Sequence, residues 1–413
     1  MTSSFFNPLD SDIQSNPYEG YQRFAQQGPI QRGHASIPGY ESTWYFFGFE
    51  EARQVLKAPF HKPLFGTEVP NINDDNVVLT NDRSLIWQHL SEWPLFQNPP
   101  IHTARRALLV DAFKESRLAA LEESIRHDAD RLLDSALSKN TFEIQQEFSY
   151  PLAVGAISKV LGIPCPNIPW FKSTTKKLAD VLDLGYVPDA YAPGMAALNE
   201  LITYTEEAID WKKSHLADDL ISQLIKPLSS DSNPDHNTIV SLITQVLFAG
   251  QETVADSIGI AVHTLINHPN QLTLLQNNPA LLDNAIKEIL RFDCPVQFTG
   301  SRAASEDINF GEIKIAAGET TIIALGACNR DARRFHHPEI FDIQRDLSGP
   351  ELSFGYGIHY CLGVHLARMV MRVALEKLLE RLPKTWVLDN PTIWRTNNVL
   401  RGPSALTLKL KNK

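Results

Sequence analysis

The stretch Phe354-Gly355-Tyr356-Gly357-Ile358-His359-Tyr360-Cys361-Leu362-Gly363 decides how the rest of the chain is read. Residues 364 to 382 follow it with apolar side chains at three- and four-residue spacing, so Cys361 stands at the entrance of a long amphipathic helix. Unsatisfied backbone N–H groups and the positive dipole end at such a position favour a sulfur anion, the form of cysteine that binds a metal. Gly355, Gly357 and Gly363 let the backbone turn sharply and approach a flat group closely. Taken alone, Cys361 is more often a small buried hydrophobe than a ligand, and its neighbours reverse that expectation.

Working outward, the other three cysteines, Cys165, Cys294 and Cys328, are scattered without Cys-x-x-Cys spacing, which excludes a zinc site or dithiol centre on pattern and leaves them as buried apolar residues. The 413 residues show no Gly-, Ser- or Pro-rich linker, no repeat and no low-complexity segment, so we expect one unit across 1–413. A hydrophobic fraction of 43% with 21% charged residues is ordinary globular composition, sufficient to enclose a bulky cofactor. The formal charge of −10, without a basic block, argues against nucleic acid as a partner and for a small molecule. The N-terminal stretch has no basic flank leading into an apolar run, and no uninterrupted run of about 18 apolar residues occurs. We therefore expect no membrane anchor and a cytoplasmic, monomeric protein.

Helical periodicity marks residues 115 to 138, 200 to 225, 237 to 268, 271 to 292 and 362 to 382. Short β-branched stretches at 308 to 315, 320 to 324 and 405 to 410 read as minor strands. The expectation is a mainly α fold with small β-sheets. Residues 61 to 100 read as a long irregular connection, a candidate substrate lid, and the stretch through Trp170, Tyr186 and Tyr191 as a second mobile cover.

The loop at 354–363 matches, at every specified position, the Phe-Gly-x-Gly-x-His-x-Cys-x-Gly form of the cytochrome P450 family, and the chain resembles that family from about residue 90 onward. The resemblance implies a helical prism holding haem b, with Cys361 as the ligand to iron and an electron push that favours oxygen–oxygen cleavage. Ala249-Gly250-Gln251-Glu252-Thr253 then resembles the family's oxygen groove in the helix 237–268. On that reading Ala249 and Gly250 border the cofactor, and Glu252 and Thr253 relay protons during oxygen activation. His102 and Arg106, with Arg302 and His359, match the positions that meet the haem propionates, to which an arginine fork is suited. Phe354, Gly355 and Gly363 complete the cofactor-binding set, and Glu288, Arg291 and Arg345 match a structural ion-pair network.

Gln245, Phe248, Ala249, Val296 and Phe298 are the candidate substrate contacts by the same resemblance, although each also fits core packing. The segment from Arg291 to Arg302 is one residue longer than in many members, leaving the facing of Val296, Gln297 and Phe298 open. Ala332 stands where proline is common after Asn329-Arg330-Asp331, and no functional consequence is expected.

The implied activity is that of a monooxygenase. One oxygen atom enters an apolar small molecule, with electrons from a separate ferredoxin or flavodoxin and its NAD(P)H-dependent reductase. Arg105, Arg333 and Arg334 are a candidate docking patch for an acidic donor. The alternatives are a peroxide-driven haem-thiolate oxygenase or isomerase, against which the intact Glu252-Thr253 pair speaks, and a haem-based gas-binding protein. A helical scaffold with a coincidental cysteine stands outside haem proteins altogether.

Overall fold

The computed structural model describes residues 5–35, 42–57, 61–63, 81–183, 188–226 and 234–410. Helix predominates, and four small sheets lie at its margins. At the centre run His236–Ala249 and Glu252–Asn267, whose side chains are buried on nearly every face, as a helix wrapped by others requires. The combined segment is long and apolar enough to cross a membrane by length and composition, but 72% of its apolar window is buried, the mark of a core helix. Tyr150–Leu161, Leu282–Phe292 and Val364–Arg381 pack around it, and Glu115–Leu137 packs against the first and last of these.

The largest sheet orders its strands Ile30–Gly33, Thr43–Phe46, Thr320–Ile323, Arg302–Ala304 and His61–Pro63. Thr43–Phe46 and Thr320–Ile323 are parallel, with Thr43 opposite Thr320, and the other pairings are antiparallel. This sheet presents Arg302 to the interior. Ile308–Phe310 and Ile313–Ile315 form a hairpin, Thr407–Lys409 pairs with Thr141–Glu143, and Pro403–Ala405 pairs with Ile393–Trp394.

Periodicity reads through short breaks that local chemistry imposes. The expected helix 200–225 is Pro188–Lys213 followed by Leu220–Ile225, because Asp219 caps a new start, accepting from Ser222 N at 2.9 Å. The expected helix 271–292 breaks at Asn278-Pro279 into Pro269–Asn277 and Leu282–Phe292. The second mobile cover is a correction. Asn167 caps Ile168–Val181 by accepting from Trp170 N at 3.0 Å, and Tyr191 is buried within Pro188–Lys213, so Trp170 and Tyr191 sit in regular helices. Tyr186 lies outside the described residues. Within the expected irregular connection, Asn81–Leu90 is helical; 64–80 lie outside the described residues.

Candidate active site

The loop and its helix are built as the sequence implies, with one difference. Gly355 and Gly357 adopt φ of +71° and +74°, where a side chain is strained, whereas Gly363 has φ −85° and caps Val364–Arg381. A Cβ placed on Gly355 or Gly363 would meet nothing within 4 Å, so both face open space inside a packed protein. Cys361 N donates to Phe354 O at 3.0 Å, closing the loop. Burial pushes the Cys361 thiol up, against the lowering effect of the Gly363 N–H and of Arg106 and Arg368. The depressed thiol expected from a helix entrance is therefore not realised in the protein alone, because desolvation outweighs the backbone. A metal cation at the sulfur displaces the proton and removes that penalty.

A cationic rim surrounds the loop. Ile101–Val110 presents His102 and Arg106 on one side, as four-residue spacing requires. The His102 and His359 rings lie 4.4 Å apart, and Arg106 Nη2 donates to Tyr360 O at 2.6 Å. Burial, then Arg302, His102 and Arg106, push His359 down to about 3. Arg302 is pushed down to about 10 by burial, and among the described residues no carboxylate pairs with it. His102 Nδ1 and His359 Nε2 are buried with no hydrogen-bond partner among the described residues. Two guanidiniums and two imidazoles with donors to spare, around glycine-lined space, fit a flat ligand carrying carboxylates.

The opposite wall is the interruption in the core helix. A Cβ on Gly250 would lie 2.7 Å from Ile157 and 2.9 Å from Val246 O, so close packing demands glycine. Gln251 turns inward and donates from Nε2 to Thr175 Oγ1 at 3.0 Å. Ala249 is exposed and Thr253 partly so, although Phe248 and Val254 beside them are buried, so this turn borders open space. Thr253 Oγ1 donates to Ala249 O at 3.3 Å, and Glu252 is buried. The two walls share one apolar cluster, through Phe248 and Val254 on the helix and Phe354 and Leu362 on the loop. Among the described residues no hydrogen bond joins them.

Glu288 and Arg291 are fully buried; Arg291 donates to Glu288 at 2.7 and 2.8 Å, and Arg345 Nε donates to it at 3.1 Å. Sequence reasoning missed how this network reaches the loop. Arg291 Nη1 donates to Asn329 O at 3.0 Å, Asn329 Nδ2 donates to Ser353 Oγ at 3.0 Å, and Leu352 N donates to Asn329 Oδ1 at 2.9 Å. It also missed Arg368, which pairs with Glu351 and lies 5.1 Å from the Phe354 ring centroid. Arg395, Asp256 and Tyr150 around Glu252 were missed too; the pattern of two acids four apart in an apolar helix was the available signal for a buried cation.

Two expectations are corrected. Phe298 is 1% exposed inside an aromatic cluster, 6.1 Å from Phe6, 5.5 Å from Tyr21 and 6.3 Å from Tyr45, so the structure places it in core packing, the other role the sequence allowed. Its bridge to Ala324 sets that facing, and the extra residue before Arg302 hid it. Val296 is partly buried; Gln245 accepts from Leu95 N at 3.3 Å, and Phe248 packs 5.5 Å from Trp93. The docking patch is also weakened, because Arg105 pairs with Glu92 at 2.5 Å and Arg333 with Glu51 at 2.7 Å, neutralising their charge. Cys165 is exposed; Cys294 and Cys328 are buried as expected.

Fold and site together define a class: a helical protein whose cysteine loop and basic rim would suit a flat, anionic, metal-bearing cofactor. The family model described as Cytochrome P450 matches residues 167–386. Cytochrome P450 107B1 of Saccharopolyspora erythraea is 32% identical over 97% of this chain and 96% of its own. Cytochrome P450 monooxygenase PikC of Streptomyces venezuelae is 31% identical over 97% of this chain and 92% of its own. Among solved structures, P450BioI in complex with an acyl carrier protein bearing hexadec-9Z-enoic acid superposes with a TM-score of 0.87, at 31% identity, over 97% of this chain and 99% of that one. The chain belongs to the cytochrome P450 family: it is a haem-thiolate monooxygenase of the bacterial type, an oxidoreductase.

Proposed function

We propose that the chain inserts one atom of molecular oxygen into an apolar small molecule, using haem b and two electrons from a separate ferredoxin or flavodoxin served by an NAD(P)H-dependent reductase, and that it works as a cytoplasmic monomer. The observation that carries this reading is the unpaired cluster of Arg302, His102 and His359 beside Cys361 and two glycines that face open space. Cys361 offers the sulfur to iron, and Arg106, Arg302, His102 and His359 hold the propionates. When bound, the haem supplies oxygen activation. The two protons that leave with the second oxygen atom as water pass through Glu252 and Thr253, the carboxyl and hydroxyl beside the helix interruption. Gln245, Phe248 and Ala249 border the substrate on the same helix, with Val296 on the segment before Arg302.

The apolar reading is supported by buried Phe248 and Trp93 and by the fatty acyl group named with the P450BioI structure. The test is spectral and catalytic. The reduced protein with carbon monoxide should give the absorption of a sulfur-ligated haem, lost in Cys361→Ser. Product should form with ferredoxin, reductase and oxygen; turnover with peroxide alone, at an equal rate, would replace the reductive route.

A further inference from the structure

Glu252 heads its helix, and the next turn carries a second acid, Asp256; the two carboxyls are 3% and 0% exposed. Arg395 reaches them from the C-terminal part of the chain, with Nη1 3.0 Å from Glu252 Oε1 and Nη2 3.0 Å from Asp256 Oδ1. Its backbone is fixed by donating from Arg395 N to Gly402 O at 3.0 Å, and a Cβ on Gly402 would lie 2.1 Å from Asp256 Oδ1. The Tyr150 hydroxyl donates to Glu252 Oε1 at 2.9 Å and accepts from Arg395 Nη2 at 3.4 Å. Lys172, on Ile168–Val181, sits 4.2 Å over the Tyr150 ring, and Glu143 is within its electrostatic reach.

Two buried acids thus share one buried guanidinium. An ionised carboxylate without a counter-charge in such a place is strongly disfavoured, so one acid keeps its proton. Burial, and then the neighbouring Glu252 charge against the pull of Arg395, hold Asp256 well above the ordinary carboxylate range. Glu252 Oε2, Asp256 Oδ2, Arg395 Nε, Ser149 Oγ and both amide atoms of Gln145 are buried without partners among the described residues, polar groups that ordered water would satisfy.

We propose that Arg395, Asp256 and Tyr150 are positioning residues for Glu252: a guanidinium shared between two buried carboxyls, with a phenol bonded to only one of them, makes Glu252 the group that carries charge and Asp256 the group that carries a proton. The proposal rests on the reading of Glu252 as a proton-passing residue. A proton passes from Asp256 to Glu252: the O–H bond breaks at Asp256 and forms at Glu252. Arg395 keeps one anion beside it throughout. Glu252 then passes that proton on toward Thr253 and Asp256 takes up another from water, which restores the starting state.

Infrared spectroscopy of the purified holoenzyme tests this directly. A protonated-carboxyl band should be present at neutral pH, vanish in Asp256→Asn and in Glu252→Gln alike, since each leaves Arg395 a single acid that ionises, and change frequency in Asp256→Glu but not in Glu252→Asp. Product formed per electron consumed should fall about ten-fold in Arg395→Gln, a change of ~1.4 kcal/mol in the proton step. Arg395→Lys, which keeps the charge should Arg395→Gln not fold, should retain the band and stay within about three-fold of wild type. A band that changes frequency in Glu252→Asp and not in Asp256→Glu, or no band at all, overturns the assignment. If the band follows Asp256 while Glu252→Gln leaves product per electron unchanged, the proton-passing reading falls and the charge assignment stands.

Discussion

Replacing Glu288 by Gln keeps the shape of a fully buried side chain and removes its charge, so the outcome isolates electrostatics from packing. Glu288 Oε1 accepts from Arg291 Nη2 at 2.8 Å, Arg345 Nε at 3.1 Å and Asp342 N at 3.1 Å, and Oε2 accepts from Arg291 Nε at 2.7 Å. In Glu288→Gln the amide oxygen can serve the first three, but its NH2 then faces the Arg291 Nε–H, donor against donor. That one unsatisfied buried donor costs about 1–3 kcal/mol. Arg291, also fully buried, loses the counter-charge for its guanidinium, and breaking such a pair brings the total to about 3–5 kcal/mol. Against a typical total of about 5–15 kcal/mol, this removes much of the stability. The loss should appear first at the sulfur, because Arg291, Asn329 and Ser353 are hydrogen-bonded in series up to the segment that bears Phe354 and Cys361. Urea unfolding should show the midpoint shift, and the carbon monoxide complex of reduced protein should lose its thiolate band at lower urea than the helical circular dichroism. A shift below about 1 kcal/mol, with the thiolate band holding to the global transition, would refute both the magnitude and the route.

Other outcomes follow from single contacts. Arg302→Gln removes a guanidinium that no described carboxylate balances, so the fold should hold while haem dissociates about 10- to 100-fold faster, as loss of charge-assisted bonds of about 1.5–3 kcal/mol implies; haem transfer to apomyoglobin measures the rate. Gly363→Val meets no backbone strain at φ −85° and projects into open space, so circular dichroism should be unchanged and the haem content of purified protein low. Asp331 is pushed up by burial but held below its ordinary value overall by Arg333 and by the Phe49 and Arg333 N–H groups. A depressed folded-state value means that its stabilisation is present above about pH 4, the unfolded value, and is lost as pH falls through the folded one. The Tm gap between wild type and Asp331→Asn should therefore narrow on the acid side of about pH 4, and a gap of constant size would contradict the assignment.

How far the sequence reached depended on how local the chemistry was. The thiolate loop was legible because ten consecutive residues carry it: the turn, the open space and the sulfur need no distant partner to be recognised. Glu288 and Arg291 were legible as a pair at three-residue spacing, and Arg345 through its place in the resembling pattern. Asn329 and Ser353 were not, because a buried Asn bridging two loops has no periodic signature and is defined only once Leu352 and Arg291 meet it. Phe298 failed for a related reason. In a short strand the facing of every side chain flips with one residue of register, and only the bridge to Ala324 turns this ring toward Phe6 and Tyr45.

The helix around Thr253 shows the same limit more sharply. Its small residues and acid–hydroxyl pair were readable, yet the cation that pairs with Glu252 is Arg395, 143 positions away by the numbering and joined to it only in the folded chain. A second acid at 256 was the clue, since two carboxyls on one face of a helix this apolar cannot both ionise without a cation brought from elsewhere. Local sequence thus named the acid and the hydroxyl, and the long-range packing of the C-terminal segment brings them the cation that Glu252 and Asp256 share.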